Sequence, residues 1–146
     1  MTMAARILVV ANETVEGDAL HAAIEGAARG SGEAEVAIVA PALNSRLRHW
    51  CSDDDEARRA AELRLAHCVN RLGEAGIEAE GWVGDADPLQ AIADALQTAR
   101  ADLLIVSTHP ESRSNWLAHG VVDRARCRFG LPVVHIVADG DLSAAA

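Results

Sequence analysis

The sequence predicts an α/β domain in which a doubly wound, five-stranded parallel sheet carries helices on both faces. Three observations lead there. Short apolar runs recur along the chain, namely Ile7-Leu8-Val9-Val10, Val36-Ala37-Ile38-Val39, Leu103-Leu104-Ile105-Val106 and Val133-Val134-His135-Ile136-Val137. Their continuous rather than alternating apolarity is that of strands buried on both faces. Between them lie longer segments with helical spacing, each long enough for a right-handed crossover.

The first strand, at Ile7–Val10, is followed by a helix carrying Leu20, Ala23, Ile24 and Ala27 on one face. The second, at Val36–Val39, precedes a long segment from Pro41 to Asp55 that reads as a loop, and loops of that length are often functional. Asp53-Asp54-Asp55-Glu56 then reads as the acidic start of a helix presenting Ala61, Leu65, Cys68, Val69 and Leu72, where the positive end of the helix dipole favours carboxylates. Gly73 and Gly76 lie where that helix should stop. Ile77 to Val83 alternates, with Ile77, Ala79, Gly81 and Val83 on one side and Glu78, Glu80 and Trp82 on the other, as a less covered edge strand would. Asp87-Pro88 supplies an N-cap and a first-turn proline for a helix with Leu89, Ile92, Ala93 and Leu96. The fourth strand, Leu103–Val106, leads to a last helix with Trp116, Gly120, Val121, Ala125 and Phe129, and then to the final strand at Val133–Val137. Residues 1–142 form one expected domain, and Ser143 to Ala146 reads as a frayed tail.

Composition narrows the function classes. All 13 basic residues are Arg, against 22 acidic ones, giving a formal charge of −9 that repels a phosphate backbone, so nucleic acid is not an expected partner. The absence of Lys removes a Walker-type phosphate-gripping lysine and Schiff-base chemistry. Cys51, Cys68 and Cys127 are odd in number and contain no C-x-x-C pair, which fits a reducing compartment. No apolar run approaches the roughly 20 residues of a membrane span. A soluble, cytoplasmic protein is expected.

In open α/β sheets ligands bind beyond the carboxyl ends of the strands, where the winding direction reverses. The first strand runs into Asn12-Glu13-Thr14, and the fourth into Ser107-Thr108-His109, continuing through Pro110-Glu111-Ser112-Arg113-Ser114-Asn115. If those strands are neighbours, both loops line one crevice. Ser114 or Asn115 can cap the incoming helix, whose free N–H groups attract an anion, and Arg113 adds a bidentate donor. The alternative is that these residues only cap a helix and solvate a loop.

These segments, in this order, resemble the universal stress proteins, small dimeric α/β domains of which one branch binds ATP and another does not. The resemblance rests on Ile7-Leu8-Val9-Val10 before a polar turn, Gly84-Asp85-Ala86-Asp87-Pro88 before a helix with Ile92, Asp102-Leu103-Leu104-Ile105-Val106, and Pro132-Val133-Val134 after the Gly120-bearing helix. It implies strand order 3-2-1-4-5, as in the adenine nucleotide α-hydrolase-like fold, with ATP or AMP as the ligand and a homodimer joined through the last strand. The ATP-binding branch has Gly, two residues, Gly, nine residues, then Gly followed by Ser or Thr. Here those positions read Ser107, Pro110, Gly120 and Val121, and Asn12 stands where the family often has an Asp. One glycine of three survives, and Pro110 has no N–H to donate. ATP held in the family's usual manner is therefore not expected, and no cofactor is assigned.

The replacements are themselves polar. The reading that follows is a non-catalytic module sensing a nucleotide or small anion, with Asn12, Glu13, Thr14, Ser107, Thr108, His109, Arg113, Ser114, Asn115 and Gly120 as the ligand-binding set. Arg46, Arg48 and Trp50 form a candidate lid after the second strand; the plainer alternative leaves the two arginines solvated and Trp50 packed on the surface. The competing function is a ligand-free dimeric interaction protein of the non-ATP-binding branch. No nucleophile with a fixed acid–base pair is visible, so an enzyme is not expected. His21, His49, His67 and His119 lack the i, i+4 pairing or Cys spacing of a metal site, and His135, inside an apolar strand, reads as a hydrogen-bonded structural histidine.

Overall fold

The computed structural model describes residues 5–11, 15, 17–30, 34–43, 53–85, 87–108 and 120–137. Strands and helices alternate along them: β1 (Ala5–Val10), α1 (Asp18–Gly30), β2 (Ala34–Leu43), α2 (Asp53–Glu74), β3 (Glu78–Asp85), α3 (Pro88–Thr98), β4 (Leu103–Thr108), α4 (Val121–Phe129) and β5 (Val133–Val137). The strands form one sheet in the order β3-β2-β1-β4-β5, and every pairing is parallel. The doubly wound α/β architecture and its strand order are as the sequence and the resemblance imply.

Alternation along each strand sends its side chains to two cores. On one face Ile7, Val9, Ile38 and Ile105 pack with Leu20 and Ile24 of α1 and with Leu65 and Leu72 of α2. On the other, Leu8, Val10, Val39, Leu104 and Val106 pack with Ile92 and Ala95 of α3 and with Val122 and Ala125 of α4. Each large aliphatic side chain buried this way contributes about 1.5–3 kcal/mol relative to exposure. Doubly buried central strands are the reason β1 and β4 read as unbroken apolar runs.

Local chemistry sets the helix ends. The Asp87 carboxylate accepts the Leu89 N–H at 3.0 Å, capping α3 with Pro88 in its first turn. The α2 terminus closes as a Schellman motif: the Ile77 N–H reaches the Leu72 carbonyl at 2.9 Å and the Gly76 N–H reaches Gly73 at 3.0 Å. Gly76 makes this possible with φ +84°, a region that costs any residue with a Cβ. Gly84 answers a different need, since a Cβ there would sit 2.6 Å from Val39 Cγ2 and 3.3 Å from Ala91 Cβ. Its bareness lets α3 lie close on the sheet.

Three elements depart from expectation. β2 runs on through Pro41 to Leu43, well beyond Val39. The ladder with the first strand ends where the Ala11 N–H meets the Val39 carbonyl at 3.2 Å, and Pro41, two residues on, has no N–H to extend it; pairing with β3 continues, with Pro41 opposite Gly84, and its register slips between Pro41 and Leu43. Gly120, expected inside the last helix, instead precedes it at φ 66°, ψ 32°, because a left-handed residue cannot continue a right-handed helix. β5, expected to be buried on both faces, lies at the sheet edge and leaves Val134 40% and Val137 44% exposed. Trp116 and the tail from Ser143 to Ala146 fall outside the described residues.

Candidate functional site

β1 and β4 are hydrogen-bonded neighbours, with Val10 opposite Val106. The chain leaves β1 for α1 on one face and leaves β4 for α4 on the other, so the winding direction reverses between them. That is the switch point at which an open α/β sheet forms its ligand crevice. α4 returns antiparallel to β4, which sets its amino terminus at the carboxyl end of the sheet.

The N-cap of α4 is Gly120, which has no side chain with which to cap it. Its first intrahelical bond runs from the Arg124 N–H to the Gly120 carbonyl at 2.9 Å, so the N–H groups of Val121, Val122 and Asp123 have no acceptor within the helix. Among the described residues, Gly120 leaves open space where a side chain would stand, with no heavy atom within 4 Å of an ideal Cβ. Donors, a positive dipole end and an unobstructed approach together favour an anion. Asp123 works against this, as an exposed carboxylate in the first turn, although Arg126 lies 3.6 Å from it. Val121, where a hydroxyl would serve a phosphate, is buried and apolar.

At the end of β4, Ser107 and Thr108 are each only 2% exposed and alternate to opposite faces. The Thr108 hydroxyl is engaged by Nε2 of His135 on β5 at 2.8 Å. Desolvation holds the His135 imidazole below the ordinary histidine range; the Arg126 guanidinium adds to the effect and Asp123 opposes it. His135 is thus the hydrogen-bonded histidine that its apolar strand suggested. The sequence does not reveal its partner, because the Val106-to-His135 register that brings it beside Thr108 exists only once β4 and β5 pair.

Of the expected ligand-binding set, Ser107, Thr108 and Gly120 are brought to this end of the sheet. Asn12, Glu13, Thr14, His109, Arg113, Ser114 and Asn115 lie outside the described residues, as do Arg46, Arg48 and Trp50 of the candidate lid. Among the described residues no group of three or more His, Cys, Asp or Glu side chains is placed to hold a metal ion, and no helix is long and apolar enough to cross a membrane.

Solved structures match this arrangement over nearly its whole length. A universal stress protein from Archaeoglobus fulgidus superposes with a TM-score of 0.64 over 92% of this chain and 94% of its own, at 21% identity. The fold is that of the universal stress proteins. A universal stress protein family protein from Arabidopsis thaliana with AMP bound matches with a TM-score of 0.60, at 16% identity over 94% of each chain. The Archaeoglobus fulgidus universal stress protein in complex with dAMP matches with a TM-score of 0.57, at 20% identity over 93% of this chain and 99% of that one. No family model matches the sequence, and no curated protein is similar to it.

Proposed function

We propose that residues 1–142 form one universal stress protein-like, non-catalytic domain of the cytoplasm that senses a nucleotide or small anion at the crevice beyond β1 and β4. The observation that carries this reading is the α4 terminus behind the left-handed Gly120, whose first backbone N–H groups have no acceptor within the helix. Two similar structures hold adenine nucleotides, AMP in one and dAMP in the other, and these motivate the choice of ligand. In this reading Arg113 replaces the missing glycine cradle with a bidentate guanidinium. The polar residues Asn12, Glu13 and Thr14, with His109, Ser114 and Asn115, supply the remaining contacts, Ser107 and Thr108 hold the end of β4 in place, and Arg46, Arg48 and Trp50 close over the ligand. The formal charge of −9 argues against a nucleic acid in the same place.

Calorimetry against ATP, ADP, AMP and inorganic phosphate tests this. Saturable binding of at least one is expected, weakened about tenfold or more by Arg113→Ala, as loss of a charge-assisted pair implies. A protein that binds none of the four overturns it.

A second reading is favoured by one feature, the exposed Val134 and Val137 on edge strand β5. An apolar edge invites strand addition, and in this reading the chain works as a ligand-free homodimer joined through β5. Light scattering at micromolar concentration should give twice the chain mass, and Val134→Glu should return it to one. A wild-type monomer under those conditions overturns this second reading.

A further inference from the structure

A second concavity lies on the α3 face of the sheet, at the amino ends of β1, β2 and β3 and so opposite the crevice. The strand register lays out its floor. Arg6, Glu35 and Glu78 form one cross-strand row and Leu8, Ala37 and Glu80 the next, and Trp82 stands two residues further along β3. The last turn of α3 and the segment after it, Thr98 to Ala101, make the facing wall of a cleft of about 530 Å³. That volume is within the roughly 300–1,000 Å³ range of small-molecule sites.

The charges in this cleft do not cancel. Arg6 Nε lies 3.5 Å from Glu35 Oε2, so those two offset each other, and the backbone N–H of Arg6 is taken by Asp102 at 3.0 Å. Glu78 and Glu80 are exposed and have no side-chain ion pair or hydrogen bond among the described residues. Arg100, on the opposite wall, balances one of them. The last turn of α3 holds no basic side chain, so its carbonyl end adds further negative potential to the wall. Between the charges lie Leu8, Ala37 and the half-buried Trp82, whose ring is one of only four aromatic side chains in a chain with three Trp, one Phe and no Tyr.

We propose that this cleft binds a small organic cation with an apolar body, of the alkylguanidinium or alkylammonium class. The cationic head sits against Glu80 and Glu78 at the end of α3, and the alkyl body lies over Leu8 and Ala37 beside Trp82. Aromatic rings attract such cations, and a carboxylate without an internal partner is free to accept from one. A free anion is disfavoured by the same charges, so this site and the crevice select opposite ligands.

The test uses agmatine, a dication with a four-carbon body, titrated into the full chain at low ionic strength and followed by backbone amide shifts and calorimetry. Saturable shifts are expected at Leu8, Ala37, Glu80 and Trp82, with affinity reduced about fivefold or more by Glu80→Gln, as for a modest ion pair. Trp82→Leu should weaken binding further. Because Trp82 also packs on the core, the exposed Glu80→Gln carries the decision if Trp82→Leu fails to fold. Absence of saturation, saturating shifts confined to other residues, or an affinity unchanged by Glu80→Gln would each overturn the assignment.

Discussion

His135 shows what one side chain in this fold can report. Burial, aided by Arg126 and opposed by Asp123, holds its imidazole below the usual histidine range. The folded chain therefore takes up that proton less readily than the unfolded chain, whose histidines titrate near about 6.5. The stability tied to neutral His135 is fully present above that pH and is lost as pH falls through the lower, folded-state value. His135→Gln keeps a hydrogen-bonding group beside Thr108 but does not titrate. Urea midpoints should fall more for wild type than for this variant between about pH 7.5 and 5.5, and equal falls would exclude His135 as the source. At this scale the sequence was legible in kind and not in partner. An apolar strand containing one His implies a satisfied structural group, but Thr108 is 27 residues away in sequence. Only the β4–β5 register makes the two neighbours.

At the scale of elements, helix starts and stops were the most legible part. Asp87-Pro88 spelled out the start of α3, and the structure places the Asp87 carboxylate on the Leu89 N–H. Asp87→Ala should cost about 1 kcal/mol in a denaturation experiment, with the denaturant dependence of unfolding unchanged. A cost near zero would mean that Pro88 alone fixes the start. The extension of β2 through Pro41 was not legible, because proline reads as a strand breaker until the sheet shows that the pairing with β3 runs on past it. Gly120 was hidden for a similar reason. A glycine inside a helical period is indistinguishable from one that halts the helix, and the sign of φ is not written in the spacing. Of the polar run from Ser107 to Asn115, only Ser107 and Thr108 lie among the described residues, and the α4 donors that anchor the proposed site are backbone groups with no side-chain signature.

Across the molecule, stability should be graded from the centre of the sheet outward. Val9, Val10, Leu104 and Val106 are fully buried, in strands paired on both sides, whereas β5 is paired on one side and leaves two valines exposed. Hydrogen exchange should find the β1 and β4 amides slowest, and those of β5 faster by about tenfold or more in dilute protein. Protection of β5 that rises with protein concentration would report its edge being covered by a second copy. The layered α/β plan followed from apolar runs alone, since strands buried on both sides leave that imprint. The order of the strands did not, because periodicity is blind to which strand neighbours which; it came with the resemblance. β5 looked like a central strand for the same reason, its composition being apolar while its position is peripheral.

The two margins of the sheet are unlike. β3 bears Glu78 and Glu80, both exposed, while β5 presents only Val133, Val134, His135, Ile136 and Val137. Copies stacked head to tail, the β5 of one on the β3 of the next, would never close and would grow into a fibre. The carboxylates on β3 oppose every such addition, as edge charges do in natural sheets. Two copies meeting β5 to β5 consume both adhesive margins at once and leave acidic ones outside. In the homodimer of the second reading, an edge that could seed polymerisation would thereby be limited to a single, self-terminating step.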